Sequence, residues 1–273
     1  MINTKILSFL IVTLVLLIVA CSETPSTTHR LYDHGGIIRT DTTQKIITLV
    51  FTGGDYADGG TVILATLNFR GIKGAFFFTG EFYRNPAFSG LIHDLKKHGH
   101  YLGAHSDEHL LYCDWTQRDS TLVTRTEFRE DVDNNYAEMA RFGIRKQEAP
   151  WFLPAFEWYN DTIAAWTNEL GLTLVNFSPG TYSNADYTTP DMGKRYLDSE
   201  TIFQRILDYE ARQGLNGFLL LTHIGTDPRR TDKFYPRLDG LIVELKKRGY
   251  RFVSLPDAMG DIHHQDTKGT KFF

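Results

Sequence analysis

Three histidines have the type and spacing that chemistry uses. His105 and His109 stand four positions apart in His105-Ser106-Asp107-Glu108-His109. In a helical turn, that spacing places both imidazoles on one face, where they can share a cation. His223 closes a separate apolar run, Leu219-Leu220-Leu221-Thr222-His223. Carboxylates lie after other apolar runs: Asp55 and Asp58 in Gly53-Gly54-Asp55-Tyr56-Ala57-Asp58, and Asp186 in Asn184-Ala185-Asp186-Tyr187. Two imidazoles, one carboxylate and an open position suit zinc, with another divalent metal as the alternative. Aromatics accompany these groups: Trp151, Phe156, Trp158, Tyr182 and Tyr187. Their flat faces suit sugar rings, and Phe156, Trp158 and Tyr182 are the candidate substrate contacts.

These residues need elements to position them. Ile46 to Phe51 is a continuous apolar, β-branched run of the kind buried on both faces. A helix follows at Thr61–Phe69, ended by Gly71, and then a strand at Gly74–Thr79. The alternation continues: helix Phe88–His98, strand Tyr101–Ala104, helix Thr126–Phe142 with Thr126 as cap, and strand Ala149–Leu153. Then come helix Glu157–Leu170, strand Leu172–Phe177, helix Thr201–Gln213, strand Gly217–Thr222, helix Asp232–Arg248 and strand Arg251–Ser254. Such alternation predicts parallel pairing with right-handed crossovers. The expected fold is α/β, a distorted (β/α) barrel of about seven parallel strands, with an open doubly wound sheet second. In such barrels the chemistry sits at the C-terminal strand ends, which is where the histidines and carboxylates fall.

The first residues read differently. Lys5, an unbroken apolar run from Ile6 to Ala20 and then Cys21 describe a secretory signal over residues 1–20. The run is too short to span a bilayer, which takes roughly 20 residues. Ile18-Val19-Ala20-Cys21 reads as a lipobox, with Cys21 the lipidated residue. Residues 21–43 are polar and read as a flexible tether, leaving 44–273 as the catalytic domain. The chain is expected on the bacterial cell envelope, membrane-anchored through that lipid and outside the cytoplasm. Cys113 is the one other cysteine, so no disulfide forms once Cys21 is lipidated; it reads as an inert, half-buried thiol. A net charge of −4 with scattered basic residues excludes a nucleic-acid partner. Pro228-Arg229-Arg230 reads as a loop of exposed charges able to meet an acidic substrate, and His263 and His264 as solvated.

From Ile46 to Ser254 the chain resembles the polysaccharide deacetylases, carbohydrate esterase family 4. Gly99-His100-Tyr101-Leu102-Gly103-Ala104-His105-Ser106-Asp107-Glu108-His109 is similar to the family's second motif, His-(Ser/Thr)-x-x-His. Gly71 to Gly80 resembles the strand after the first motif, and Leu219 to His223 the fifth. The resemblance implies removal of N- or O-linked acetyl groups from a polysaccharide or oligosaccharide. It implies a metal held by His105 and His109 and a histidine general acid at His223, partnered by Asp186 from the fourth motif. The first motif, Thr-Phe-Asp-Asp-Gly, departs: Val50-Phe51-Thr52-Gly53-Gly54 stands there, with neither Asp in register. Asp55 lies two positions beyond the metal-binding place and has two roles open to it, metal ligand or base, with Asp58 behind it. The third motif reads Leu153-Pro154-Ala155-Phe156, without the arginine that holds the base. These departures leave a second expectation, a catalytically lapsed glycan-binding lipoprotein of the same fold.

Overall fold

The computed structural model describes residues 29–260. The signal segment, Cys21, the first part of the tether, and His263 and His264 lie outside the described residues. The chain opens with β1 (Leu31–Asp33), β2 (Gly36–Arg39) and β3 (Ile46–Gly53), then α1 (Gly60–Arg70). Next come β4 (Ala75–Phe78), α2 (Gly80–Arg84), α3 (Ser89–Lys97), β5 (Tyr101–Ala104) and α4 (Arg125–Ala140). β6 (Trp151–Phe152), α5 (Asp161–Glu169), β7 (Thr173–Leu174) and α6 (Ser199–Gln213) follow. β8 (Phe218–His223), α7 (Leu238–Lys247), β9 (Arg251–Phe252) and α8 (Leu255–Ala258) complete the series.

The sheet runs β1-β2-β8-β3-β4-β5-β6-β7, and β9 pairs β3. β3 to β9 are mutually parallel, so the seven parallel strands expected from the sequence are present. The sheet curls into a distorted barrel rather than lying open. An isolated bridge joins Ile37 in β2 to Val175 just beyond β7, and the Asn176 amide donates to the Ile37 carbonyl at 2.8 Å. β3 shows why a continuous apolar run was required: every one of its residues is buried, with helices outside and the barrel interior within. Phe51 and Phe76 stack at 4.8 Å and Phe78 and Phe82 at 4.0 Å, filling the space between neighbouring strands and α2.

Four local expectations are corrected. Residues 31–39, read as tether, form the β1–β2 hairpin, with β2 antiparallel to β8. β1 is the sheet's edge strand and β2 is only four residues long, so neither carries the long apolar run that marks a central strand. The cap of α4 is Thr124, not Thr126: its hydroxyl accepts from the Glu127 amide while the Glu127 carboxylate accepts from the Thr124 amide. α5 starts at Asp161 under an Asn160 cap rather than at Glu157, because Phe156 (φ 58°) and Glu157 (φ 52°) are left-handed and cannot enter a helix. Cys113 is fully buried, and burial pushes its thiol up to about 11, which keeps it protonated and inert.

Candidate active site

The strand ends are level. Thr52 pairs with His223, Gly53 with Phe78, and Phe78 with Ala104, so β3, β4, β5 and β8 deliver their next residues to one rim. His105 follows β5 and is 2% exposed. Its amide is held twice, by the Phe78 carbonyl at 3.1 Å and the Asn135 side-chain oxygen at 2.8 Å. Its Nδ1 lies 2.9 Å from the Leu153 carbonyl, an acceptor, so Nδ1 carries the proton and Nε2 keeps its lone pair. Burial, reinforced by the nearby His109, drives the His105 pKa well down; the ring is neutral, as a metal ligand must be.

His109 lies close by, but not through a helical turn. Ser106 (φ 72°) and His109 (φ 55°) are left-handed, and the segment is a loop. Asp131 on α4 fixes it: one carboxylate oxygen accepts the Asp107 and Glu108 amides, both at 3.1 Å, and the other accepts the Tyr112 hydroxyl. The two imidazole rings end 5.2 Å apart. Burial, then the charge of His223, lowers the His109 pKa to about 4, with Asp55 and Asp131 opposing.

His223 ends β8. Its Nδ1 lies 2.6 Å from Asp186 Oδ1, and its backbone amide donates to Asp186 Oδ2 at 2.9 Å. Asp186 comes from a buried 3-10 turn, Ser183–Tyr187, packed on β8. Burial alone pulls the His223 pKa down, but the charge and hydrogen bond of Asp186, with the charge of Glu157, outweigh it and leave the pKa raised. The three histidines thus divide: two held neutral, one held ready to carry a proton.

Asp55 is exposed on the loop after β3; its charge reaches His109, but its carboxylate makes no hydrogen bond among the described residues. Asp58 is engaged elsewhere, accepting from Thr226 N at 2.8 Å and Tyr235 Oη at 3.2 Å and facing Lys233 Nζ at 3.1 Å. Thr52 and Gly53 occupy the level of the rim where the resemblance expects two carboxylates. A Cβ on Gly53 would meet Ile224 Cγ2 at 2.7 Å and Phe78 Cδ1 at 2.9 Å, so an aspartate at 53 does not fit this packing.

Sequence reasoning missed Glu157. Its side chain is 10% exposed and sets Oε1 3.7 Å from His105 Nε2. Burial raises its pKa to about 7, against the lowering effect of His223. It stood in the strand-end segment after β6 but was read as the start of a helix; the left-handed pair Phe156-Glu157, costing roughly 1–3 kcal/mol each, turns it into the site instead. Among the described residues, no three His, Cys, Asp or Glu side chains close around one point. The donors present still fit a zinc-type cation: two neutral imidazoles, one with its Nε2 freed by a carbonyl bond, and a carboxylate beside it.

An aromatic rim surrounds these groups. Phe156 is 39% exposed with its ring 4.2 Å from that of His109, and Trp115, 54% exposed, meets Phe156 edge-on. Tyr187 packs beside His223 at 5.4 Å. Tyr182, expected as a substrate contact, is exposed but has its ring covered by the Arg205 guanidinium of α6, with no contact to the three histidines among the described residues. Trp158 is half-buried. Its Nε1 donates to the Asp114 carbonyl, Arg118 covers its ring at 4.3 Å, and Trp115 stacks on it, so Trp158 supports the rim and Trp115 presents the open face. Arg230, expected on the surface, is fully buried, donating to Thr188 O and Ser199 Oγ; Arg229 pairs with Asp227 and Asp191.

A mostly parallel curled barrel with this rim is the architecture of the polysaccharide deacetylases. The profile described as polysaccharide deacetylase matches residues 39–175, and the chain belongs to that family. It is similar to the peptidoglycan-N-acetylmuramic acid deacetylase of Bacillus subtilis, 27% identical over 80% of this chain and 73% of that protein. It is also similar to a peptidoglycan-N-acetylglucosamine deacetylase of Bacillus cereus, 23% identical over 79% of this chain and 89% of that one. Among solved structures it shares its fold with a family 4 pseudoenzyme from Bacillus anthracis, with a TM-score of 0.63 and 16% identity, covering 84% of this chain and 70% of that one.

Proposed function

We propose that this chain is a metal-dependent deacetylase that hydrolyses acetyl groups from envelope glycan, with peptidoglycan strands as the substrate class. The observation that carries the reading is the 2.6 Å bond between His223 and Asp186 beside the neutral pair His105 and His109. Two relatives named for peptidoglycan deacetylation support the substrate class. Under this reading Cys21 carries the lipid anchor, and the domain works outside the cytoplasm.

A zinc-type cation, when bound, would polarise the acetyl carbonyl and make a water acidic at neutral pH. The chain's own residues do the rest. His105 and His109 offer neutral imidazole nitrogens. Asp186 takes the Nδ1 proton of His223 in a hydrogen bond and so presents the second proton on Nε2 toward the substrate. That proton goes to the departing sugar nitrogen or oxygen. Phe156, Trp115 and Tyr187 offer ring faces to the sugar and restrict water around it.

The test is acetate release from acetylated peptidoglycan, chitin oligomers and acetylated xylan by the full-length chain in detergent. Release that a chelator abolishes and zinc restores, falling at least about a hundredfold in His223→Ala, is expected. No release from any of the three would overturn hydrolysis. A second reading has its own observation: Thr52 and Gly53 stand in place of the motif's two carboxylates, in a fold also used by a pseudoenzyme. Glycan binding without acetate release would select that lapsed, binding-only form.

A further inference from the structure

The metal reading above requires an anionic partner for the two histidines, and the first strand does not supply one. Gly53 is packed against Ile224 and Phe78 with no room for a side chain, and the Thr52 hydroxyl is buried without a partner. Asp55 lies further along the loop and is exposed. Beside His105, the turn after β6 carries a carboxylate that accepts no hydrogen bond among the described residues.

We propose that Glu157 is a metal ligand of this site, acting with His105 and taking over the place of the missing first-strand carboxylate. Three observations carry this. The Glu157 side chain is 10% exposed and receives no hydrogen bond among the described residues, while its oxygen lies 3.7 Å from the free Nε2 of His105. A mostly buried carboxylate without protein donors is left to water or a cation to compensate it. Two ligands each about 2 Å from one tetrahedral ion lie about 3.3 Å apart, so a closing shift of roughly 0.4 Å brings this pair onto neighbouring corners.

The second observation is preorganisation. The Glu157 amide donates to the Pro154 carbonyl at 3.0 Å, and Asn176 Nδ2 donates to the Glu157 carbonyl at 2.8 Å. The left-handed backbone at Phe156 and Glu157 sends one side chain against each histidine, Phe156 onto His109 and Glu157 onto His105. The third is shared anchorage: the Leu153 carbonyl that fixes the His105 tautomer belongs to the same segment. A single turn therefore orients one histidine and supplies its partner.

The experiment measures zinc and cobalt affinity of the full-length chain in detergent by titration calorimetry, with no substrate present. Glu157→Gln should raise the zinc Kd at least about a hundredfold, and at least tenfold more than Asp55→Asn does. Equal or larger loss in Asp55→Asn, or a Glu157→Gln affinity within threefold of the parent, overturns the assignment while leaving the metal reading intact. No zinc or cobalt binding by the parent overturns both. Should Glu157→Gln fail to fold, Glu157→Cys with cobalt decides: a thiolate-to-cobalt absorption band in the near ultraviolet, absent from the parent, supports ligation, and its absence overturns it.

Discussion

Asp186 holds His223 by both ends: one oxygen takes the ring nitrogen at 2.6 Å and the other takes the same residue's backbone amide at 2.9 Å. A carboxylate bound in this way cannot rotate without releasing the β8 terminus, so ring tautomer and strand end are fixed together.

The pH dependence follows from that bond. The His223 pKa is raised, so the protonated acid persists above the ordinary value near 6.5, and activity should fall only as pH rises through the higher pKa. Asp186→Asn removes the charge, and the alkaline limb of kcat should move down by about one unit or more. A pH–rate profile checks this, and an unmoved limb would show that another group sets it. The same shift makes a stability contribution that is full below the unfolded pKa and lost as pH rises through the folded one.

Asp131 should be felt at a distance. Removing its carboxylate in Asp131→Ala leaves two amides and the Tyr112 hydroxyl without their acceptor, at a cost of about 3 kcal/mol. For a domain of this size that lowers Tm by roughly 6–12 °C. The zinc Kd should rise with it, because the loop carrying His105 and His109 loses its tie to α4. Thermal denaturation and calorimetry read the two effects separately.

Gly53 and its neighbour Gly54 offer a matched pair. Gly53→Ala forces a Cβ to within 2.7 Å of Ile224 and should cost about 1–3 kcal/mol. At Gly54 the nearest atom to a new Cβ is 3.7 Å away, and the alanine should change stability by only about 0.5 kcal/mol. Chemical denaturation compares them; equal tolerance would show that β3 has slack to accept a carboxylate at 53.

Trp115→Ala should raise KM for glycan oligomers roughly two- to tenfold, the worth of one aromatic contact, while leaving kcat for a small aryl acetate unchanged. Trp115 is 54% exposed, so Tm should hardly move. Steady-state kinetics on both substrates checks it.

The barrel was legible because its strands are buried on both faces and announce themselves: β5 is found at Tyr101–Ala104, where the sequence placed it. The placement of His105, His109 and His223 at one rim was legible because they follow such strands. Glu157 was not, since two non-glycine residues at positive φ leave no compositional trace; the chain there reads as a helix start. The same blindness misplaced the His105–His109 spacing in a helical turn. Arg230 was hidden for another reason: a buried guanidinium depends on Thr188 and Ser199, each more than thirty residues before it, and charge alone suggests solvent.

The N-terminal hairpin gives the domain a direction. Leu31 pairs with Arg39, and Arg39 with Phe218, the first residue of β8, so the described chain enters at the strands' N-terminal ends, opposite His223. Eight residue steps lead from Cys21 to His29, a reach of at most about 29 Å. A lipid on Cys21 would therefore hold the barrel by its base on a short leash. Its mouth would face away from the bilayer, toward wall polymer above the lipid surface rather than toward lipid headgroups.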